Sequence, residues 1–280
     1  MNKNIECLIE ACKEKKVYYK IHNKSNNLVE IVINGISYLF VNWTTPLNKH
    51  SIAYLQQDKD YFFNFFKNKI KMPETKSYLN PHCDERYSQY LEKNTIFDII
   101  IDIENHFNYP FIIKKNRGSW GTNVFKVNNR VELEKSLFTV FNESSNSYDY
   151  IVLAQEFIDI QTEYRAIFYN GKLQFCYEKD ITNATFTNNL SPFHQDGAKA
   201  VLITDKNLLD RINNFSKVIF QNLPIAYTGL DIAIDNKDEL WLIEANSSPG
   251  FDNIIKSGNK KVVIDLYITI LNDLETINSK

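Results

Sequence analysis

Short apolar runs broken by polar segments set the plan of this 280-residue chain. From 3 to 15, Ile5, Leu8, Ile9 and Cys12 recur at helical spacing and predict a helix. Runs at 18–21, 29–33 and 36–41 predict strands, with Asn34-Gly35 as a tight hairpin turn between the last two. Residues 58–69 read as an amphipathic helix whose aromatic wall, Tyr61, Phe62, Phe65 and Phe66, is expected in the core. Pro73 stops that region and opens the extended stretch MPETKSYLNP. A helical period returns at 95–107, with Thr95 as its cap, and Tyr109-Pro110 ends it. Strands are expected at 111–115, 124–127 and 150–154, and a helix at 131–142, before the polar linker ESSNSYD. A hairpin at 163–168 and 172–177 turns at Asn170-Gly171. Residues 181–199 are polar and irregular, and helices are expected at 206–221 and 260–275. Interleaved helices and strands with this many hairpins argue for an α+β architecture of several subdomains, not a doubly wound parallel sheet.

The most informative stretch is 227–251, YTGLDIAIDNKDELWLIEANSSPGF. Apolar runs at 230–234 and 240–243 flank Asn236-Lys237-Asp238-Glu239, a hairpin pattern. A symmetric turn of two or four residues gives one register. It sets Asp231 opposite Glu244 and Gly229 opposite Asn246, so Asp231, Glu244 and Asn246 share a face. Two facing carboxylates repel and weaken a sheet, and a divalent cation between them removes that cost. Oxygen ligands of this kind suit Mg²⁺ held together with substrate phosphates. A solvated hairpin face with ordinary surface acids fits the same spacing.

Composition narrows the classes. At 44% apolar residues the chain can bury a sizeable core, and its formal net charge of −2 makes no case for a nucleic-acid or membrane-surface partner. Cys7, Cys12, Cys83 and Cys176 lack CxxC spacing and read as thiols of a reducing compartment. The charged start has no signal-peptide pattern, and no run reaches membrane-spanning length, so a cytoplasmic location is expected. The five histidines show no metal spacing.

Other segments carry chemistry of lower specificity. The loop Asn116-Arg117-Gly118-Ser119-Trp120-Gly121-Thr122-Asn123 joins two short strands; its glycines let backbone N–H groups approach a phosphate, and Lys114 precedes it. It equally suits a plain hairpin loop, and it lacks P-loop spacing. Glu163 and Arg165 share a strand face, where an acid can accept from a ribose hydroxyl and an arginine can grip phosphate or carboxylate; a surface ion pair fits as well. Lys179 lies at or just past the end of the next strand.

Taken in order, the segments DK (58–59), MPETK (72–76), YPFIIKKNRGSWG (109–121), VLAQEFI…EYR (152–165), TGLDIAID (228–235) and LIEANSSPGF (242–251) resemble the ATP-grasp superfamily of carboxylate–amine ligases. The pattern is most similar to the glutathione synthetase-type, cyanophycin synthetase-type and α-L-glutamate ligases. The resemblance implies two α+β subdomains enclosing ATP, with a short amino-terminal α/β region. It places an acceptor-side region at 1–58, a linker helix and central ATP-lid subdomain at 59–157, and a subdomain with the metal site at 158–280. It implies Lys59 and Lys114 on the phosphates, and Gly118, Ser119 and Gly121 over them. Gln155, Glu156, Phe157 and Ile158 are then expected at adenine, Glu163 at ribose and Asn188 near the metals. Arg165 and Lys179 would face the transferred phosphoryl group. Asp231, Glu244 and Asn246 would hold two Mg²⁺ ions, with Mn²⁺ as an alternative. The implied activity is ADP-forming ligation of an amino-acid or peptide carboxylate to an amine, through an acyl phosphate. A non-catalytic ATP-binding module and an ATP-grasp kinase are the other readings considered, and a homo-oligomer is compatible with them all. The chain departs from the pattern in its short region before Lys59, in Thr187 where an arginine is usual, in the bulk of Trp120, and in Lys115 at the second position of the usual KP pair.

Overall fold

The computed structural model describes residues 1–118, 121–184 and 197–277. Helix α1 (Lys3–Lys15) is capped by the Asn2 side chain and leads into β1 (Tyr19–Ile21), β2 (Leu28–Ile33) and β3 (Ile36–Val41), an antiparallel sheet in that order. Asn34 and Gly35 take positive φ, as a two-residue hairpin turn requires. Helices α2 (His50–Gln57) and α3 (Lys59–Phe66) follow, hinged at Asp58, whose carboxylate caps α3 by accepting from the Tyr61 N–H at 3.1 Å.

The buried stripe of α3 differs from the expected aromatic wall. Phe62, Phe63 and Phe66 are buried, while Tyr61 and Phe65 are exposed. Phe62 and Phe66 pack on the five-stranded sheet described below, and α3 also touches β4 (Thr75–Leu79) on another flank. A helix wedged between two neighbours turns a different set of positions inward from one lying on a single surface. The separate helix α2 also lay inside a stretch for which no helix was expected.

A four-stranded antiparallel sheet has the order β4, β7 (Ile151–Glu156), β5 (Phe111–Lys115), β6 (Val124–Val127). Helices α4 (Ile96–His106) and α5 (Arg130–Val140) cover it through Ile99, Ile103, Leu133 and Leu137. Thr95 and Asp98 form a capping box at the start of α4, as the sequence suggested. The largest sheet has five antiparallel strands in the order β10 (Lys199–Leu202), β9 (Lys172–Asp180), β8 (Ile160–Tyr169), β11 (Tyr227–Asp235), β12 (Leu240–Asn246). β10 begins at the last residue of the stretch expected to be irregular, 181–199, and no strand was expected there. Helix α6 (Lys206–Asn222), with α2 and α3, covers one face. The other face packs with α1, β2, β3, α7 (Asp252–Lys256) and α8 (Lys260–Ile277). The fold is α+β, and among the described residues no helix is long and apolar enough to cross a membrane.

Two features position the site. First, β11 is buried along almost its whole length because both faces of its sheet are covered. Second, the hairpin register is not uniform. Near its turn Ile234 pairs with Leu240 and Ile232 with Leu242; a bulge then absorbs Ile243, and Asp231 pairs with Glu244 and Gly229 with Asn246. Without that extra residue Glu244 would point to the opposite face. The expected pairing at Asp231 is met, but the bulge produces it, not a symmetric turn.

Candidate active site

The charged side chains converge on one end of one face of the five-stranded sheet. Strand alternation brings Glu163 and Arg165 from β8, Lys179 from β9, Asp231 from β11 and Glu244 from β12 to that face. Arg165 donates from Nε and Nη2 to the two carboxylate oxygens of Asp231, both at 2.6 Å. Lys179 Nζ lies 2.9 Å from Asp231 Oδ2 and also donates to Glu163. All four side chains are largely shielded from solvent. Burial opposes the charge on Asp231, but Arg165 and Lys179 outweigh it and hold the carboxyl at about 2. Burial likewise works against charge on Lys179, and Asp231 and Glu163 override it and raise the ammonium. Tyr177 hydrogen-bonds the Arg165 side chain. It escaped the sequence reading, although its i, i+2 relation to Lys179 on β9 put it on the same face.

A second group joins this end of the sheet to the β5–β6 loop. Lys59 Nζ lies 3.4 Å from Glu244 Oε1 and donates to the carbonyls of Gly118 at 2.8 Å and Asn116 at 3.4 Å. Gly118 has φ +153°, and the Lys115 side chain occupies the space a Cβ would fill. Gly121 also has positive φ. A third group surrounds Lys114, which is 6% exposed and donates to Gln155 Oε1 at 2.8 Å; Gln155 in turn donates to Thr75 Oγ1 at 2.8 Å. Burial lowers the Lys114 ammonium to about 8, with Lys59 acting in the same direction and Glu244 against it. Asn116 and Thr75 stood inside recognised segments, but nothing in their spacing marked them as holding Lys59 or orienting Gln155.

Not every expected residue joins these groups. The Glu156 side chain accepts from the Glu74 N–H, Phe157 lies under Lys126 with Nζ 3.7 Å from the ring centre, and Ile158 is buried. These three occupy the crossing from β7 to β8, beside rather than within the charged cluster. Ser119 and Asn188 lie outside the described residues.

The donor set suits a hard cation carried in with phosphates. Glu244 pairs with Asp231 and Asn246 with Gly229, which sets both on the site face. The carboxylate and the Asn246 side-chain oxygen are the hard donors, while the buried Asn246 amide nitrogen, a hydrogen-bond donor and not a ligand, has no hydrogen-bond partner among the described residues. Asp231 is already balanced by two cations. Arg165, Lys179, Lys59 and Lys114 exceed Glu163, Asp231 and Glu244 by one charge, a balance that favours an anionic ligand.

The family described as the RimK-like ATP-grasp domain matches residues 67–274. The chain belongs to the RimK-like ATP-grasp family. A D-alanine–D-alanine ligase of Buchnera aphidicola subsp. Schizaphis graminum is 25% identical to this family member over 195 residues, 66% of this chain and 61% of the relative. The chain thus spans about 61% of the length of that curated relative. A bifunctional glutathione synthetase from Pasteurella multocida superposes with a TM-score of 0.57 at 14% identity, over 96% of this chain and 44% of that one. A RiPP-associated ATP-grasp ligase from Chryseobacterium gregarium, in complex with ADP and a leader and core peptide, superposes with a TM-score of 0.53 at 17% identity, over 79% of this chain and 62% of that one. At these identities the two structures establish the ATP-grasp fold alone.

Proposed function

We propose that the chain is an ATP-dependent, ADP-forming ligase that joins a carboxylate to an amine through an acyl phosphate. The observation that carries this reading is the cationic excess of Arg165, Lys179, Lys59 and Lys114 around the carboxylate-bearing end of the sheet, with the Gly118 loop tied to the same point through Lys59. Lys59 and Lys114 are assigned to the phosphates of ATP. The segment Gln155 to Ile158 is assigned to adenine, Glu163 to ribose, and Gly118, Ser119 and Gly121 to the cover over the terminal phosphates. Asn188 is assigned near the metals. Asp231, Glu244 and Asn246 would hold Mg²⁺, which supplies charge neutralisation on the transferring phosphoryl group. Residues 1–58 are assigned to the acceptor side, 59–157 to the linker helix and central subdomain, and 158–280 to the metal-bearing subdomain.

The chemistry follows from leaving groups. A carboxylate oxygen of the acid substrate attacks the γ-phosphorus of ATP, the bond to the bridging oxygen breaks, and ADP departs. The acyl phosphate then has phosphate as leaving group. The amine nitrogen attacks its carbonyl carbon, the carbon–oxygen bond to phosphate breaks, and the nitrogen sheds a proton as the amide forms. Phosphoryl transfer needs alignment and positive charge around the equatorial oxygens more than covalent help, and Arg165 and Lys179 are assigned to supply it. Their prior engagement with Asp231 fixes their orientation, so little reorganisation is needed when charge develops.

Amino acids and peptides are the proposed substrate class. The D-alanine ligase relative and the peptide-bound ligase of the same fold support this reading. The test incubates the protein with Mg²⁺, ATP and pooled amino acids and short peptides. Release of ADP and phosphate together with a mass 18 Da below the sum of two substrates (about, for loss of one water) is expected. Background ADP release with every pool would overturn the reading, and a stable phosphorylated product would replace it with a kinase.

A further inference from the structure

Residues 116–118 are held from α2 and α3 by contacts that the nucleotide roles above leave unused. The Arg117 guanidinium lies over the Tyr54 ring, its carbon 4.3 Å from the ring centre, and Nη1 donates to the Tyr54 hydroxyl at 3.4 Å. The Arg117 main-chain N–H donates to the buried Asp149 carboxylate at 2.7 Å. The neighbouring Asn116, 1% exposed, accepts from the Asp60 N–H at 2.9 Å through its side-chain oxygen. One residue further, the Gly118 carbonyl accepts from Lys59, which also meets Glu244. Tyr54, Lys59 and Asp60 all belong to the short elbow where α2 passes into α3, stiffened by the Asp58 cap. A single rigid piece therefore grips three successive loop residues and reaches the metal-site hairpin as well.

Within that grip, Lys59 has a proposed phosphate role and Asp60 contributes only main chain. Tyr54 has neither excuse. It stands 37% exposed on α2, and among the described residues its side chain meets Arg117 and the His50 ring. A guanidinium lying over a tyrosine face is a directional, charge-dependent contact. It acts on a residue whose peptide bond leads directly into Gly118.

We propose that Tyr54 is a positioning residue for the nucleotide loop: by holding Arg117 it sets the distance between Gly118 and Glu244. This rests on the nucleotide site proposed above, and it adds a residue outside that site on which phosphate affinity depends. Because Gly118 is assigned to the terminal phosphates, ATP should feel the loss of Tyr54 and AMP should not.

The experiment has two arms. In the first, Mg-ATP and AMP are titrated into the parent protein and into Tyr54→Leu, Tyr54→Phe, Arg117→Met and the Tyr54→Leu/Arg117→Met double variant. Tyr54→Leu is expected to weaken ATP about 2- to 5-fold and to leave AMP at the parent affinity. Tyr54→Phe keeps the ring and is expected to restore the parent affinity, while the double variant is no weaker than its weaker single parent. Equal losses for ATP and AMP, or full additivity of the two singles, would overturn the proposal. In the second arm, hydrogen exchange at the amides of Arg117 and Gly118 is followed without nucleotide. Exchange is expected to quicken in Tyr54→Leu and to stay at the parent rate in Tyr54→Phe. Unchanged exchange in Tyr54→Leu sinks the positioning role even if nucleotide binds. A parent that binds no adenine nucleotide defeats the ligase reading instead, and the exchange arm still decides whether Tyr54 holds the loop.

Discussion

Ile167, Tyr169, Phe175, Tyr177 and Tyr227 lie on the same face of the five-stranded sheet as Glu163, Arg165, Lys179, Asp231 and Glu244. The strands, pleat and alternation are shared, but the chemistry is opposite. At the first end the face meets α1, α8 and the small amino-terminal sheet in a continuous apolar core. At the second end it meets Lys59 and the start of the β5–β6 loop. Gly229 lies on this face between Tyr227 and Asp231, and Pro249 and Ile167 fill the space where its side chain would be. The difference shows how one sheet face can be both core and site. The apolar end is stabilised by removal from water, while the charged end persists only because each buried charge has a partner already in place.

The strongest way to break the comparison is to remove one charge. Asp231→Asn keeps the shape but leaves Arg165 and Lys179 buried without their shared anion. A cost of about 3–5 kcal/mol in unfolding free energy is expected from denaturant titration. A loss below about 1 kcal/mol would mean that the charged end is as solvated as an ordinary surface ion pair. The pH dependence has a definite sign. Asp231 has a lowered folded pKa, about 2 against 3.8, so its contribution is complete above the unfolded value and disappears as pH falls through the folded one.

A smaller loss is expected at the boundary. A Cβ on Gly229 would stand 2.9 Å from Pro249 Cβ and 3.2 Å from Ile167 Cδ1, so Gly229→Ala forces one of them to move. Overpacking of this kind costs about 1–3 kcal/mol. Pro249 is the nearer neighbour and its ring cannot bend away, so the loop that carries it must shift, and Asn4 ties that loop by donating to the Pro249 carbonyl at 2.9 Å and accepting from the Phe251 N–H at 3.1 Å. Thermal unfolding of Gly229→Ala alone and combined with Asn4→Ala checks this. If the loop is what yields, releasing it with Asn4→Ala makes the added methyl cheaper, and simple additivity would contradict that.

Much of this arrangement is legible in the amino-acid sequence. The two-residue turns at Asn34-Gly35 and Asn170-Gly171, the Thr95 cap and the strands around Gly118 all follow from local chemistry and are present. Asp231 facing Glu244 was also legible, but by a route that the fold does not take, since register near the turn is offset and the Ile243 bulge restores it. Bulges depend on twist and on packing of both faces, and neither is written in a hairpin pattern. The α3 stripe failed for a related reason: a period reports that a face exists but not how many neighbours surround it. Asn116 and Thr75 bond residues far away in sequence, so their own spacing carries no sign of those contacts.

Lys114 offers a test that moves function and stability in opposite directions. Burial lowers its ammonium to about 8 from 10.5. Above that pH the charged fraction falls about tenfold per unit, so kcat/KM for ATP is expected to fall at that slope while Lys114→Arg remains flat. Folding stability should rise over the same interval, because between about 8 and 10.5 the unfolded chain binds more protons than the native one. A parent profile flat to about pH 10 would show that Lys114 carries no charge needed for nucleotide.

Two tyrosines of the apolar end sharpen the comparison further, because the same substitution should change sign according to whether the hydroxyl reaches a charged group. Tyr227 is 0% exposed, and its hydroxyl has no hydrogen-bond partner among the described residues. An orphaned buried hydroxyl retains its desolvation cost, so Tyr227→Phe is expected to stabilise the fold by about 1 kcal/mol. Tyr177 is buried as deeply, but its hydroxyl meets the Arg165 side chain. Hydrogen bonds to charged groups are worth about 1.5–3 kcal/mol, so Tyr177→Phe should destabilise by about that amount. Paired denaturant curves, compared at constant m-value, read both changes directly. Two shifts of the same sign would mean that the face is electrostatically uniform, and the division at Gly229 would then be one of side-chain size alone.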